Sequence, residues 1–387
     1  MQRIAAEGRR VAAIVATAVI AVTGLLVFFD WTSGTRSTVV WTFARQPEGV
    51  VHVDSLVATA DGFALLARPV EGDMTLWTSS NGIAWSGRGI SGSPNRLLVD
   101  GDDLLAFAGR WVMRLGHVEG QQPEASRVNL PLLVRVGYGS GRAGLVVGAN
   151  GLVAQAFTGD VFWAPNGSGP ETVAPDFELV VAAPTWGEAI GMPADATCDP
   201  PTVSSVDVPP IVATPAGFIT LVSVNGADPF GIWPVCEPEV WSSPDGKAWE
   251  RLSDGSPFGD GAYIYDMGWR NGRLIAVGGV GIDEGALWLS DDGRSWTRAE
   301  PLPAEDDFEL REVAAGGLGW VVLGEWSHRP GLTGWVSPDG DCWKPLPRHV
   351  SPRQAAVGND RIVLAEHGGF PLMWVGIAAG GRQLGCD

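Results

Sequence analysis

Residues 240–252 read VWSSPDGKAWERL. An apolar run meets a serine, then Asp-Gly, then a tryptophan and a charged step. The phrase returns at 287–298 as LWLSDDGRSWTR and at 334–346 as GWVSPDGDCWKPL. A catalytic motif serves one active site and occurs once, so a phrase repeated at fixed spacing points to architecture. Trp249, Trp296 and Trp343 stand 47 residues apart each time, close to the length of a four-stranded repeat unit. An earlier copy brings the set to Ser79-Asn81-Trp85, Ser243-Asp245-Trp249, Ser290-Asp292-Trp296 and Ser337-Asp339-Trp343, all of the form S-x-[DN]-G-x-x-W.

Working outward from the third copy, the short apolar runs AYIYDMGW, RLIAVGG, ALWLS and SWTRA are separated by Asn-Gly, Gly-rich and Asp-Gly turns. Such punctuation predicts a four-stranded antiparallel meander. Weaker units fill the gaps: LVATADGFALLA at 56–67 matches IVATPAGFITLV at 211–222. Unit starts fall near 51, 94, 131, 206, 262, 308 and 350. The last unit lacks a fourth strand, while STVVWTFAR at 37–45 reads like the strands that trail the boxes (AWERL, SWTRA, CWKPL). The expected fold is therefore all-β: a seven-bladed β-propeller over 37–387, with 37–45 closing the last blade so that no sheet edge stays open.

The repeated phrase resembles the Asp-box, or bacterial neuraminidase repeat, of sialidases and many non-enzymatic propellers. The usual form is S-x-D-x-G-x-T-W; here it is one residue shorter, with Ala, Ser or Cys before the tryptophan. The resemblance implies that each box sits between third and fourth strands, on the face away from the ligand site. Physically, an Asp or Asn side chain accepts hydrogen bonds from amides just downstream, and Gly permits φ > 0. The tryptophan is expected to bury its apolar face beside the next blade. The boxes read as fold staples, and neither a metal nor a cofactor is expected.

Composition narrows the partners. Lys+Arg 26 against Asp+Glu 44 leaves a net charge of −18, which repels phosphate backbones, so nucleic acid is not an expected partner. Residues 1–10 carry Arg3, Arg9 and Arg10, and 11–29 run without a charge. At a ~1.5 Å rise that stretch spans roughly 28 Å, about one bilayer core. The reading is a signal-anchor at 11–29, a cytoplasmic 1–10, a linker at 30–36 and an extracytoplasmic remainder; a cleaved signal peptide, giving a secreted protein, is the alternative. Four cysteines in an exported chain fit two disulfides. The implied blade topology pairs Cys198 with Cys236 on the ligand face and Cys342 with Cys386 on the other.

A sialidase-like site needs an arginine triad, a tyrosine nucleophile with its glutamate, and an acid/base aspartate. Aligned opening strands put Arg96, Arg135, Arg311 and Arg353 near the channel mouth, with Asp54, Asp266 and Glu312 at similar heights. Tyr263 and Tyr265 are the nucleophile candidates, with Asp266 and Glu312 as weak catalytic partners; arginine suits a carboxylate ligand. No H-E-x-x-H or G-x-S-x-G pattern offers other chemistry. The insertion at 184–205, with Trp186 and the nearby Trp233, reads as an interaction patch on a rigid scaffold. The expected function is a non-catalytic binding or scaffolding module for a protein or glycan. A sialidase-like exo-glycosidase is the first alternative. An assembly factor for a membrane complex is the second, by analogy with Asp-box propellers that help build photosystem II.

Overall fold

The computed structural model describes residues 39–44, 47, 49–69, 73–90, 94–108, 111–116, 127–129, 144–149, 151–155, 161–164, 178–181, 210–226, 235–253, 256–281, 284–299, 302, 308–326, 332–347, 350–366 and 373–378. The expected anchor and linker, the 184–205 insertion, Arg135, Trp186, Trp233, Cys198 and Cys386 lie outside the described residues, as does the side chain of Cys236. Among the described residues no helix is long and apolar enough to cross a membrane.

Residues 50–89, 96–129, 144–181 and 211–251 each form four antiparallel strands in sequence order. Residues 262–298 and 308–345 form two further meanders, joined by one parallel bridge between Glu284 and Phe308. The last meander draws three strands from 352–378 and its fourth, Val39–Ala44, from the other end of the chain. Its register runs from Val39 opposite Ala378 to Ala44 opposite Met373. Turn chemistry explains the reversals. Arg270 pairs with Arg273 across Asn271 and Gly272, whose φ values of 51° and 86° are those of a two-residue type I′ hairpin.

The opening strands Val50–Thr59, Arg96–Asp100, Gly144–Gly148, Ile211–Thr214, Ala262–Arg270, Phe308–Gly316 and Pro352–Val357 neighbour one another in that order, and the last neighbours the first. The core is spread between successive meanders. Val363 and Val375 of the last pack with Phe63 and Leu65 of the first, and Ile275 and Leu287 pack with Val322 and Trp335. Second strands are buried on both faces, so Ile275, Ala276 and Val277 read as a continuous apolar run rather than an alternation.

The four boxes share one hydrogen-bond pattern. Ser79, Ser243, Ser290 and Ser337 each accept from the box glycine N–H at 2.8 Å. Asn81, Asp245, Asp292 and Asp339 accept through Oδ1 from the two amides that follow that glycine, at 2.8–3.1 Å. Each tryptophan indole N–H returns to the box glycine carbonyl at 2.9–3.0 Å. The packing corrects one expectation. Trp85, Trp296 and Trp343 lie against the apolar layers shared with the preceding meander, not the next. A Cβ on Gly82 would come within 2.6 Å of Val363 in that preceding sheet, so the glycine answers to close approach as well as to its φ of +71°. Arginines add to the contact: Arg273 donates to the Asp339 carbonyl at 3.2 Å, and Arg361 to the Asn81 carbonyl at 3.1 Å.

Two predictions arise from the boxes. Ser337 is fully buried, so Ser337→Ala strands the Gly340 N–H and should lower the unfolding free energy by about 1–3 kcal/mol in urea titrations. Amide donors also hold the box carboxyls below their ordinary range. At Asp245 the N–H of Ala248 leads and that of Lys247 follows; at Asp292 Ser295 leads. At Asp339 burial pulls upward, but the amides of Asp341 and Cys342 outweigh it. A carboxyl depressed in the folded state adds stability above its unfolded pKa and loses it as pH falls through the folded one. The melting temperature should therefore drop as pH is taken below about 4. Replacing Asp245, Asp292 and Asp339 by Asn, the residue the first box already uses, should flatten that drop without abolishing folding.

Candidate functional site

Four opening strands carry a one-residue bulge near their first ends. The register slips between Val53 and Ser55, Ile264 and Asp266, Leu310 and Glu312, and Pro352 and Gln354. The extra residues are thus Asp54, Tyr265, Arg311 and Arg353, at equivalent positions around the mouth of the ring. The residue after each bulge reaches the neighbouring strand. Ser55 Oγ accepts from the Leu97 N–H at 3.0 Å, Asp266 Oδ2 from the Val313 N–H at 2.7 Å, and Glu312 Oε1 from the Ala355 N–H at 3.3 Å. Gln354 Nε2 donates to the Asp54 carbonyl at 3.1 Å, which brings the last strand onto the first.

This arrangement bears on the sequence-predicted acids. Asp266 and Glu312 are buried and bound to backbone of the next strand. Each commits a carboxylate oxygen to a backbone N–H of the adjacent opening strand. Arg311 meets Glu309 and Glu325, two glutamates that sequence reasoning missed. Arg311 pairs with Glu309, and its Nε lies 3.1 Å from Glu325 Oε1. Glu309 and Glu325 face each other across one strand pair, a placement that only the register reveals. The Arg311 guanidinium sits 3.9 Å above the Tyr265 ring, a cation–π arrangement. Tyr265 in turn meets Tyr263 edge to face, 5.2 Å between centroids.

Burial pushes the Tyr263 phenol well above its ordinary range, and the neighbouring Glu309 charge adds to the rise. A Cβ on Gly279 would fall 2.2 Å from the Tyr263 hydroxyl, so the cross-strand glycine is what lets the ring lie over the second strand.

The remaining candidates are dispersed. Arg353 is exposed at its bulge, and Arg96 is half-buried at the start of its strand, opposite Phe107. Asp54 stands between them in ring order, its Oδ1 3.3 Å from Arg68 and 3.7 Å from His52 Nε2. Burial raises the Asp54 carboxyl, with His52 and Arg68 opposing. Among the described residues no group of His, Cys, Asp and Glu could hold a metal ion. Among the described residues there is no free cysteine.

No protein-family profile matches the sequence, and no curated protein matches it. Solved structures do match. Oligogalacturonate lyase from Vibrio parahaemolyticus is similar at a TM-score of 0.55 and 10% identity, over 92% of this chain and 97% of that one. The β-propeller domain of Cps50 (Swd1) from Myceliophteria thermophila is similar at 0.50 and 13%, over 87% and 99%. BBS1N, solved in complex with ARL6DN, is similar at 0.50 and 11%, over 91% and 100%. The likeness establishes a β-propeller fold; at these identities it extends no further.

Proposed function

We propose that the protein is a seven-bladed propeller of the Asp-box kind, acting as a non-catalytic binding or scaffolding module. In this reading residues 11–29 hold it at the outer side of a membrane. The face carrying the channel mouth receives a protein ligand. The observation that carries the reading is the employment of the polar mouth residues. Asp266 and Glu312 serve the neighbouring strands, and the Arg311 charge is met by two glutamates. A propeller of similar shape solved with a protein partner supports the class of ligand. The insertion at 184–205 and the Trp233 segment, with Trp186, Asp195 and Asp199, would supply recognition. Disulfides Cys198–Cys236 and Cys342–Cys386 would pin that insertion and tie the sixth box to the C-terminal tail.

The second reading, a sialidase-like glycosidase, draws on Tyr263, Glu309 and Arg311 standing together. One assay separates the two. The purified protein is offered aryl glycosides of neutral and acidic sugars, sialosides included, alongside Tyr263→Phe. The binding reading expects no turnover above buffer. Turnover by the wild type that disappears in the Phe variant would replace it with the enzyme reading.

A further inference from the structure

The topology marks two faces. In each boxed meander the box follows the C-terminal end of the third strand, at Ser79, Ser243, Ser290 and Ser337. That box face also holds the hairpins joining first to second strands, such as Asn271-Gly272. The opposite, mouth face holds the first ends of the opening strands, and with them Tyr263, Tyr265 and Arg311.

In the last meander the third strand is Met373–Ala378. Val39 pairs with Ala378 at its C-terminal end, and Ala44 with Met373 at its start. The chain therefore joins the ring at the box face and runs up to the mouth face, where Val50 opens the first meander. Residues 30–38 alone separate Val39 from the apolar run at 11–29. Fully extended, they reach roughly 30 Å at most, little more than one strand length, so a mouth turned toward the lipid would need them drawn taut along the ring's outer edge, whereas a box face toward the lipid leaves them slack.

We propose that the membrane-tethered protein turns its box face to the bilayer and its mouth face away from it. The inference rests on the reading of 11–29 as an anchor and adds the orientation that reading leaves open. The direction of one strand sets it: a closing strand of the opposite polarity would present the mouth to the lipid instead. The tethered mouth is then open to partners approaching from the extracytoplasmic space, and the boxes are screened from them.

Asp61 and Asp73 test the orientation, since both are exposed in the first meander. Asp61 lies in the turn between first and second strands, on the box face, and Asp73 between second and third strands, on the mouth face. The strand Gly62–Pro69 that separates them has 8 residues, which places the faces roughly 25 Å apart. The full chain is reconstituted in phosphatidylcholine vesicles carrying a headgroup acceptor dye, with a donor on an encoded clickable residue at one position or the other. Over that separation the donor at Asp61 should show about twofold or more the transfer efficiency of the donor at Asp73. Equal or reversed efficiencies in vesicles that float with bound protein would overturn the orientation and leave the anchor standing. Protein that fails to float, with 11–29 intact, would overturn the anchor and the orientation with it.

Discussion

Trp41→Ala should lower the unfolding free energy by about 3–5 kcal/mol, more than any other single change considered for this chain. Trp41 is 7% exposed and sits in the N-terminal strand, opposite Gly376. The indole occupies space that any side chain there would claim: a Cβ on Gly376 would lie 2.8 Å from it. Val39 and Trp41 join Val357, Ile362, Leu364 and Trp374 in one apolar layer. Truncation removes the largest apolar body that this strand contributes and leaves Val39, Phe43 and the backbone pairs between Val39–Ala44 and Met373–Ala378 to hold it. Val40 on the same strand is 40% exposed, so Val40→Ala should stay within about 0.5 kcal/mol. Equal effects at the two positions would mean that the strand is held by its backbone pairing and not by this layer.

Asp266→Ala should cost about 1–3 kcal/mol, because it leaves the buried Val313 N–H without its acceptor. Asp266→Asn keeps an oxygen at that place and should recover most of the loss in the same denaturant titration. Glu312→Ala and Glu312→Gln should behave alike through the Ala355 N–H. A catalytic carboxylate gives the reverse signature: the amide variant folds as well as wild type and loses activity. The pair of substitutions therefore separates a bridging role from a chemical one without knowledge of a substrate.

The boxes and hairpins were legible because their chemistry is local. Asp-Gly and Asn-Gly announce turns, and a serine two residues before the Asp or Asn places an acceptor under the glycine N–H. The closing strand was legible through its likeness to the strands after Trp249, Trp296 and Trp343. The mouth was less so. Bulges at Tyr265 and Arg311 carry no compositional signal, yet each shifts the alternation by one, and the residue after it, Asp266 or Glu312, bonds to backbone of the adjacent strand. The pairing of Arg311 with Glu309 and Glu325 is likewise a matter of register. The preceding-sheet packing of the box tryptophans had no sequence counterpart, since either neighbour offers an apolar face.

The claim that recognition occurs on the mouth face is tested most directly by site-specific photo-cross-linking of the full chain in its native membranes. A photoreactive residue replaces exposed Arg353 at its mouth bulge or exposed Asp360 in the box-face hairpin of the same meander. The account predicts a discrete protein adduct from position 353 and none from position 360. An adduct from 360 alone would place the partner on the box face and contradict it.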